Sequence, residues 1–580
     1  MKKLLALLLT ATLLVATFAA CGTTDTPSDT PTAPADDVTS DDVTTTDDAG
    51  GDDDDDVDPP LVGAPQILRF GTTGIDGKFL SVLQNNLYDS YVSMLVFEGL
   101  VSNDIQGLPI PGPIAEGWEL SDDHLSYTFT LKDGVYFSDG VPMTAADVEF
   151  TYRTMAHPDY DGPRSYAVDS MLGYTEFRAG ETDEFPGVEV IDDKTIVFHF
   201  EDARPTNIWD CGYGIMPMHI YAFDNYEELL DQVSNPIGSG KFIFEEYAPM
   251  EIVRLGTNRG YWGPDTPTID GIFMLEVPGE SLQAAFQNGD IDVANPETNI
   301  DNDEVFNAMA GIEVQKFLGN GYQYLAFNTT RPQLSDARVR QALMYGLDRQ
   351  AYIDINFGSL GSVGMTPISP ASWAFPDSST LNDYALDLDK AAALFAEAGW
   401  EKGADGILEK DGERMELSWL VYTDTAWPGI LSGLAYDSWA QLGVDLNIEL
   451  LDFASVISHT MDPEPGEKDF DIYTMGFSLS IDPDPSGALF DYDAYNAGGF
   501  NASGYYNEHS QELIYAGRTE FDQDVRTDIY HEWGELMNEE LPSVIIAYRH
   551  ELWAVADRVQ GLNIDTYWEW YRDLSNVTLN

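Results

Sequence analysis

Apolar and polar residues alternate along Tyr127-Thr128-Phe129-Thr130-Leu131, the two-residue period of a half-buried strand. Lys132-Asp133-Gly134 reads as a turn and Val135-Tyr136-Phe137 as the returning strand. Further strands are expected at Ile67–Phe70, Thr195–Phe200, Lys241–Phe244, Leu417–Tyr422, Val444–Leu450 and Asp471–Met475. Helical spacing of apolar residues covers Leu80–Leu100. It recurs over Ser335–Arg349, with Ala337, Val339, Ala342, Leu343 and Leu347 on one face, and over Asp389–Ala398, which Gly399 stops. Thr144 is expected to cap a further helix, with Asp147 at its third position. Helices and strands interleave without an internal repeat, so the class is α/β.

The ends of the chain follow other patterns. Met1-Lys2-Lys3 is a short cationic start, and Leu4–Ala20 is uncharged and mostly apolar. As a helix that run rises about 25 Å, suited to a signal peptide. Phe18-Ala19-Ala20-Cys21 is similar to a bacterial lipoprotein signal, which implies cleavage before Cys21 and its lipidation; Phe18 stands where such signals usually carry Leu. Residues 22–60 hold 14 Asp and neither Lys, Arg nor any aromatic residue. They cannot bury a core and read as an extended acidic tether.

Composition narrows the class of function. The chain has 580 residues, enough for two or three domains, with 28 Lys and Arg against 100 Asp and Glu. Residues 61–580 alone carry 26 basic and 86 acidic residues, a formal charge of −60. Such a surface repels phosphate backbones, so no nucleic-acid partner is expected. Two cysteines, Cys21 and Cys211, exclude a disulfide scaffold, and eight scattered histidines propose no metal site and no cofactor. Asn235-Pro-Ile-Gly-Ser-Gly-Lys241 lacks the first glycine and the closing Ser or Thr of a phosphate loop, and reads as a turn into a strand. His531-Glu532-Trp533-Gly534-Glu535 lacks the second histidine of a zinc protease, and no GxSxG elbow occurs. No catalytic residue is proposed. A secreted hydrolase and a surface sensor on the same fold stay as rivals.

Longer motifs carry a resemblance. Asp122–Tyr152 (DDHLSYTFTLKDGVYFSDGVPMTAADVEFTY) resembles a signature of the family 5 extracellular solute-binding proteins, the peptide and nickel receptors of ABC importers. Asn235–Ile272, Tyr324–Ile353 and Asp387–Asp411 are similar to further blocks of that family, in the same order. The resemblance spans about 61–570. It implies a two-lobed periplasmic-binding-protein-like fold of type II, in the three-domain cluster C form, with a hinge. The implied division is 61–106, 236–322 and 541–580 for domain I, 107–235 for domain II and 323–540 for domain III, the ligand lobe. It also implies a monomeric, membrane-anchored extracytoplasmic receptor that hands a small solute to an ABC permease.

Peptide-binding members place an Asp a few residues before a D-P element in domain III. Here Leu479 or Ser480 falls there, with Asp482 and Asp484 close by. The Arg that dipeptide binders carry after the strand matching Leu417–Tyr422 has no counterpart in Thr423–Trp427. The candidate ligand residues are therefore aromatic and neutral-polar: Tyr324, Asn328, Trp373, Tyr422, Trp427 and Ser480, with Asp482 and Asp484 as substitutes for the missing carboxylate. An oligopeptide, held through backbone hydrogen bonds, is the expected solute, and an oligosaccharide the alternative.

Overall fold

A computed structural model describes residues 65–496 and 499–580. The leader, Cys21 and the acidic tether lie outside the described residues. Among the described residues no helix is long and apolar enough to cross a membrane.

The α/β class holds, and the architecture is two-lobed. One long sheet path runs Asp445–Leu451, Glu416–Tyr422, Ile472–Ser478, Gly321–Phe327, Ser543–Ala556, Val293–Ala294, Ile67–Thr72, Gly271–Glu276, Ile252–Thr257, Phe242–Ala248. A separate four-stranded antiparallel sheet joins Ala115–Leu120, Ser126–Leu131, Thr195–His199 and Val188–Asp192. The strand Ser543–Ala556 stands where the two lobes meet. Its first half pairs with Gly321–Phe327, and its second half pairs with Ile312–Leu318. Between those two partners the chain crosses at Gly319-Asn320, where the Gly319 amide donates to the Arg549 carbonyl at 2.9 Å.

Side chains of that strand enter separate cores. Trp553 and Val555 join a core built on Leu68, Phe70, Phe129 and Phe198, whereas Ile546 and Ala547 join one built on Leu343, Trp419 and Trp439. Ile545 and Tyr548 face a third, around Tyr324, Tyr473 and Trp533. Burying aromatic side chains of this size is the dominant favourable term in each.

Three expected elements differ from the structure. The helix expected over Leu80–Leu100 is confined to Leu87–Val96. Asn86 caps it, accepting from the Tyr88 amide at 2.8 Å, so the apolar residues before it lie in turns. The helix expected over Ser335–Arg349 is Ala337–Tyr345, and Asp348 caps a second helix, Arg349–Asn356. An Asx cap with the side chain accepting from Ala351 competes with continuation of the first helix. Val135–Phe137 makes only a single bridge, Tyr136 to Pro142. Thr144 and Asp147 behave as expected, the Asp147 carboxylate accepting from the Thr144 amide at 2.9 Å.

Candidate ligand-binding site

A cavity of about 510 Å³ opens beside the C-terminal end of helix Leu87–Val96. Its walls come from five stretches far apart in sequence: Ser81–Pro113, Arg164–Tyr166, Trp209–Gly214, Lys241 and Trp568–Arg572. Ile481 reaches in from the loop that follows strand Ile472–Ser478 and belongs to the other lobe.

Close backbone approach builds the floor. A Cβ on Gly99 would stand 2.4 Å from the Gly212 carbonyl oxygen, so the two segments meet with no side chain between them. The Ile215 amide donates to the Glu98 carbonyl at 3.0 Å and locks that contact. The Gly238-Ser239-Gly240 turn packs against the helix end in the same way, the Gly240 amide donating to the Val96 carbonyl at 2.8 Å. What reads in sequence as a defective phosphate loop is thus the turn that delivers Lys241 to the cavity.

The far wall is held from the C-terminus. Trp570 is buried and stacks on Phe70, with ring centroids 4.6 Å apart, and this fixes the neighbouring Trp568, Tyr571 and Arg572. The Arg572 guanidinium donates to Ser102 Oγ and Asn103 Oδ1. Lys241 Nζ lies 3.5 Å from the Arg572 carbonyl. At another wall Arg164 donates to the Gln84 carbonyl at 3.2 Å and to the Tyr166 hydroxyl at 3.4 Å, and Tyr213 donates to that same hydroxyl at 3.0 Å.

Three polar atoms on these walls are buried and have no hydrogen-bond partner: Gln84 Oε1, Arg164 Nε and Arg572 Nε. Among the described residues Glu98 is the only carboxylate lining the cavity. Burial pushes it up to about 7, against the pull of Lys241 and of the hydrogen bond from Tyr261 at 2.9 Å. Behind the wall, burial and the nearby Asp169 push Asp210 up to about 8. Burial raises the Cys211 thiol as well, with Asp210 adding to it.

The other lobe carries the loop 479–486. Asn320 Nδ2 donates to the Leu479 and Ser480 carbonyls, both at 3.0 Å. Asp482 takes Arg526 bidentately, both contacts at 2.7 Å, and Arg526 Nε donates to the Gly517 carbonyl at 2.8 Å. Asp484, raised by burial and by Asp482, accepts from the Ser486 amide. Trp373 lies over the Arg526 guanidinium, 5.4 Å from carbon to ring centroid. The lobes touch where Ile481 meets Gly107 and where His124 lies against Phe521, ring centroids 4.1 Å apart.

The sequence candidates thus fall into separate groups. Trp373, Asp482 and Asp484 gather around Arg526, and the exposed Ser480 adjoins Ile481. Tyr422 and Trp427 pack edge to face, centroids 5.7 Å apart, with Trp427 also against Tyr352. Tyr324 is buried with its hydroxyl on Tyr473, and Asn328 is buried with its amide on the Phe470 carbonyl. None of the eight is among the residues lining the cavity. The lining side chains Glu98, Arg164, Trp209, Tyr213, Trp568 and Arg572 carry no local pattern that singles them out. The turn glycines ahead of Lys241 are the one signal in the sequence that points there.

Known proteins share this fold. The chain is 25% identical over 519 residues to the oligopeptide-binding protein AppA of Bacillus subtilis, covering 87% of this chain and 90% of that one. It is 26% identical over 487 residues to heme-binding protein A of Haemophilus influenzae, covering 81% and 84%. The solved structure of the Bacillus subtilis AppA in complex with a nonapeptide superposes with a TM-score of 0.67 at 24% identity, over 89% of this chain and all of that one. The model of the bacterial extracellular solute-binding proteins, family 5 (Middle), matches residues 109–499, and the chain belongs to that family of substrate-binding receptors of ABC importers.

Proposed function

We propose that the solute is an oligopeptide, captured by closure of the two lobes and delivered to an ABC permease in the membrane to which lipidated Cys21 anchors the receptor. The receptor acts as a monomer outside the cytoplasm and carries out no catalysis. The observation that carries this reading is the interlobe cavity: aromatic walls from one lobe, Ile481 from the other, and buried hydrogen-bonding groups left unmatched. A cavity of this kind suits a ligand that contributes backbone amides and carbonyls along an apolar path. The absence of an Arg in Thr423–Trp427 and the engagement of Asp482 by Arg526 support a ligand longer than a dipeptide. A dipeptide would bring two charges close together onto a loop whose carboxylate is already paired. In this reading Ser480, Asp482 and Asp484 shape the loop that covers the ligand. The pairs around Trp373, Tyr422 and Trp427, with Tyr324 and Asn328, support that lobe.

The chain division at 107–235, 236–322, 323–540 and 541–580 is part of the same proposal, with the hinge at the crossings beside Gly319 and Arg549. Native mass spectrometry of the purified protein, followed by calorimetry against dipeptides, longer peptides and neutral oligosaccharides, tests the reading. Retention or binding of longer peptides is the expected result. Binding of oligosaccharides with no response to any peptide would replace it.

A further inference from the structure

Cations are scarce in this protein, and most arginines among the described residues reach a carboxylate within 4.0 Å. The cavity departs from that pattern. Arg164, Lys241 and Arg572 all line it, and none of the three forms an ion pair among the described residues. Arg164 and Arg572 spend their outer nitrogens on neutral oxygens: the Gln84 carbonyl, the Tyr166 hydroxyl, Ser102 Oγ and Asn103 Oδ1. Each keeps its Nε buried and unmatched, and Gln84, 3% exposed, keeps its Oε1 unmatched beside Arg164. An unmatched buried donor costs its full desolvation, so a site with several is incomplete until something supplies acceptors. Two guanidiniums with no carboxylate within ion-pair distance set the sign of that something; the acids that Arg572 acts on, Glu98 and Glu569, are both raised by burial. Glu98 does not fill the role: it stands at no ion-pair distance from either guanidinium, and burial pushes it up to about 7 against the pull of Lys241 and the Tyr261 hydroxyl.

We propose that Arg164 and Arg572, with Lys241 beside them, receive a carboxylate of the bound ligand from the lobe opposite the 479–486 loop, and that Gln84 accepts an N–H from the same ligand. The proposal rests on the oligopeptide reading and adds to it that the peptide is read by its negative group. Two sources fit that chemistry, the peptide's C-terminus or an acidic side chain. The surrounding charge makes the device selective. A surface at −60 disfavours anions everywhere, so an anion is held only where fixed cations face a water-poor cavity.

Calorimetry on the full mature protein with matched peptides tests this. One set carries a free or amidated C-terminus, and the other carries Glu or Gln at each internal position in turn. The expected result is a preference of about tenfold or more for the charged member of one set, which identifies the source. Arg572→Gln and Arg164→Gln should each reduce that preference severalfold, the charged peptide losing more affinity than its neutral match. A preference that survives both variants, or no preference in either set, overturns the inference and leaves the peptide reading standing. If no peptide binds, the peptide reading fails, and neutral against uronic-acid oligosaccharides take its place. An Arg572-dependent preference for the acidic sugars then keeps the cation site, and its absence overturns it. Should Arg572→Gln melt well below the parent, Arg164→Gln alone decides, since its side chain holds no contact to the C-terminal segment.

Discussion

Two arginine sites, one in each lobe, are built on opposite rules. Arg526 is 4% exposed and completed from within: two bonds to Asp482, one to the Gly517 carbonyl, one to the Tyr530 hydroxyl. Arg572 is held by neutral groups, keeps an unmatched Nε and has, among the described residues, no carboxylate within 4.0 Å. The first fixes a loop; the second leaves charge to spend on something that is not protein. Both are arginines, Arg526 buried and Arg572 half-buried, so residue type does not identify a binding group. What distinguishes them is whether the protein has already supplied the counter-charge.

The sharpest way to break that comparison is to remove the counter-charge where it exists. Asp482→Ala should cost about 3–5 kcal/mol in urea unfolding, because the Arg526 guanidinium stays buried and uncompensated. Arg572→Gln should cost far less, since no ion pair is lost. Equal losses would erase the distinction.

Glu98 gives the next effect, through pH. Its folded-state value near 7 lies above the ordinary 4.5, so the folded state binds the proton more tightly. The stability this contributes is complete below pH 4.5 and is lost as pH rises through about 7, on the order of 3 kcal/mol in all. Denaturation curves between pH 4.5 and 8 should show that slope in the parent and its loss in Glu98→Gln. An unchanged slope would assign it to other groups, Asp210 first.

Gly99→Ala tests the floor of the cavity. The added methyl meets the Gly212 carbonyl oxygen and should cost about 1–3 kcal/mol in the same assay, with weakened ligand binding. A neutral substitution would mean that the two backbones can part without consequence. The smallest effect expected comes from the surface. Raising salt from low to molar should lift the melting temperature by a few degrees as self-repulsion is screened. A flat series would mean that local ion pairs already compensate the acids.

Much of the fold was legible because sheet strands announce themselves by alternation. Thr195–His199, Glu416–Tyr422 and Asp445–Leu451 lie within a residue of their expected limits. Helix limits were less legible where a capping side chain competes with an apolar run, as Asn86 and Asp348 do. The cavity was the least legible part. Glu98, Arg164, Trp209, Lys241 and Arg572 converge only after the chain has folded back across more than 450 residues, and each is unremarkable in its own neighbourhood. The loop at Ser480–Asp484 stood out because its motif is local. What the motif could not convey is that Asp482 is occupied by Arg526, a residue 44 positions away.

The strand Ser543–Ala556 has a consequence for how the receptor comes apart. One uninterrupted ribbon supplies side chains to all three cores and hydrogen bonds to partners on both sides of the Gly319 crossing. Melting either lobe strips half of that ribbon of its neighbours and leaves the other half as an unsupported edge. The lobes therefore cannot lose their structure one at a time, and a calorimetric scan of the protein should trace a single peak. A receptor that opens and shuts at every delivery would in this way keep its swinging halves from becoming separately breakable ones.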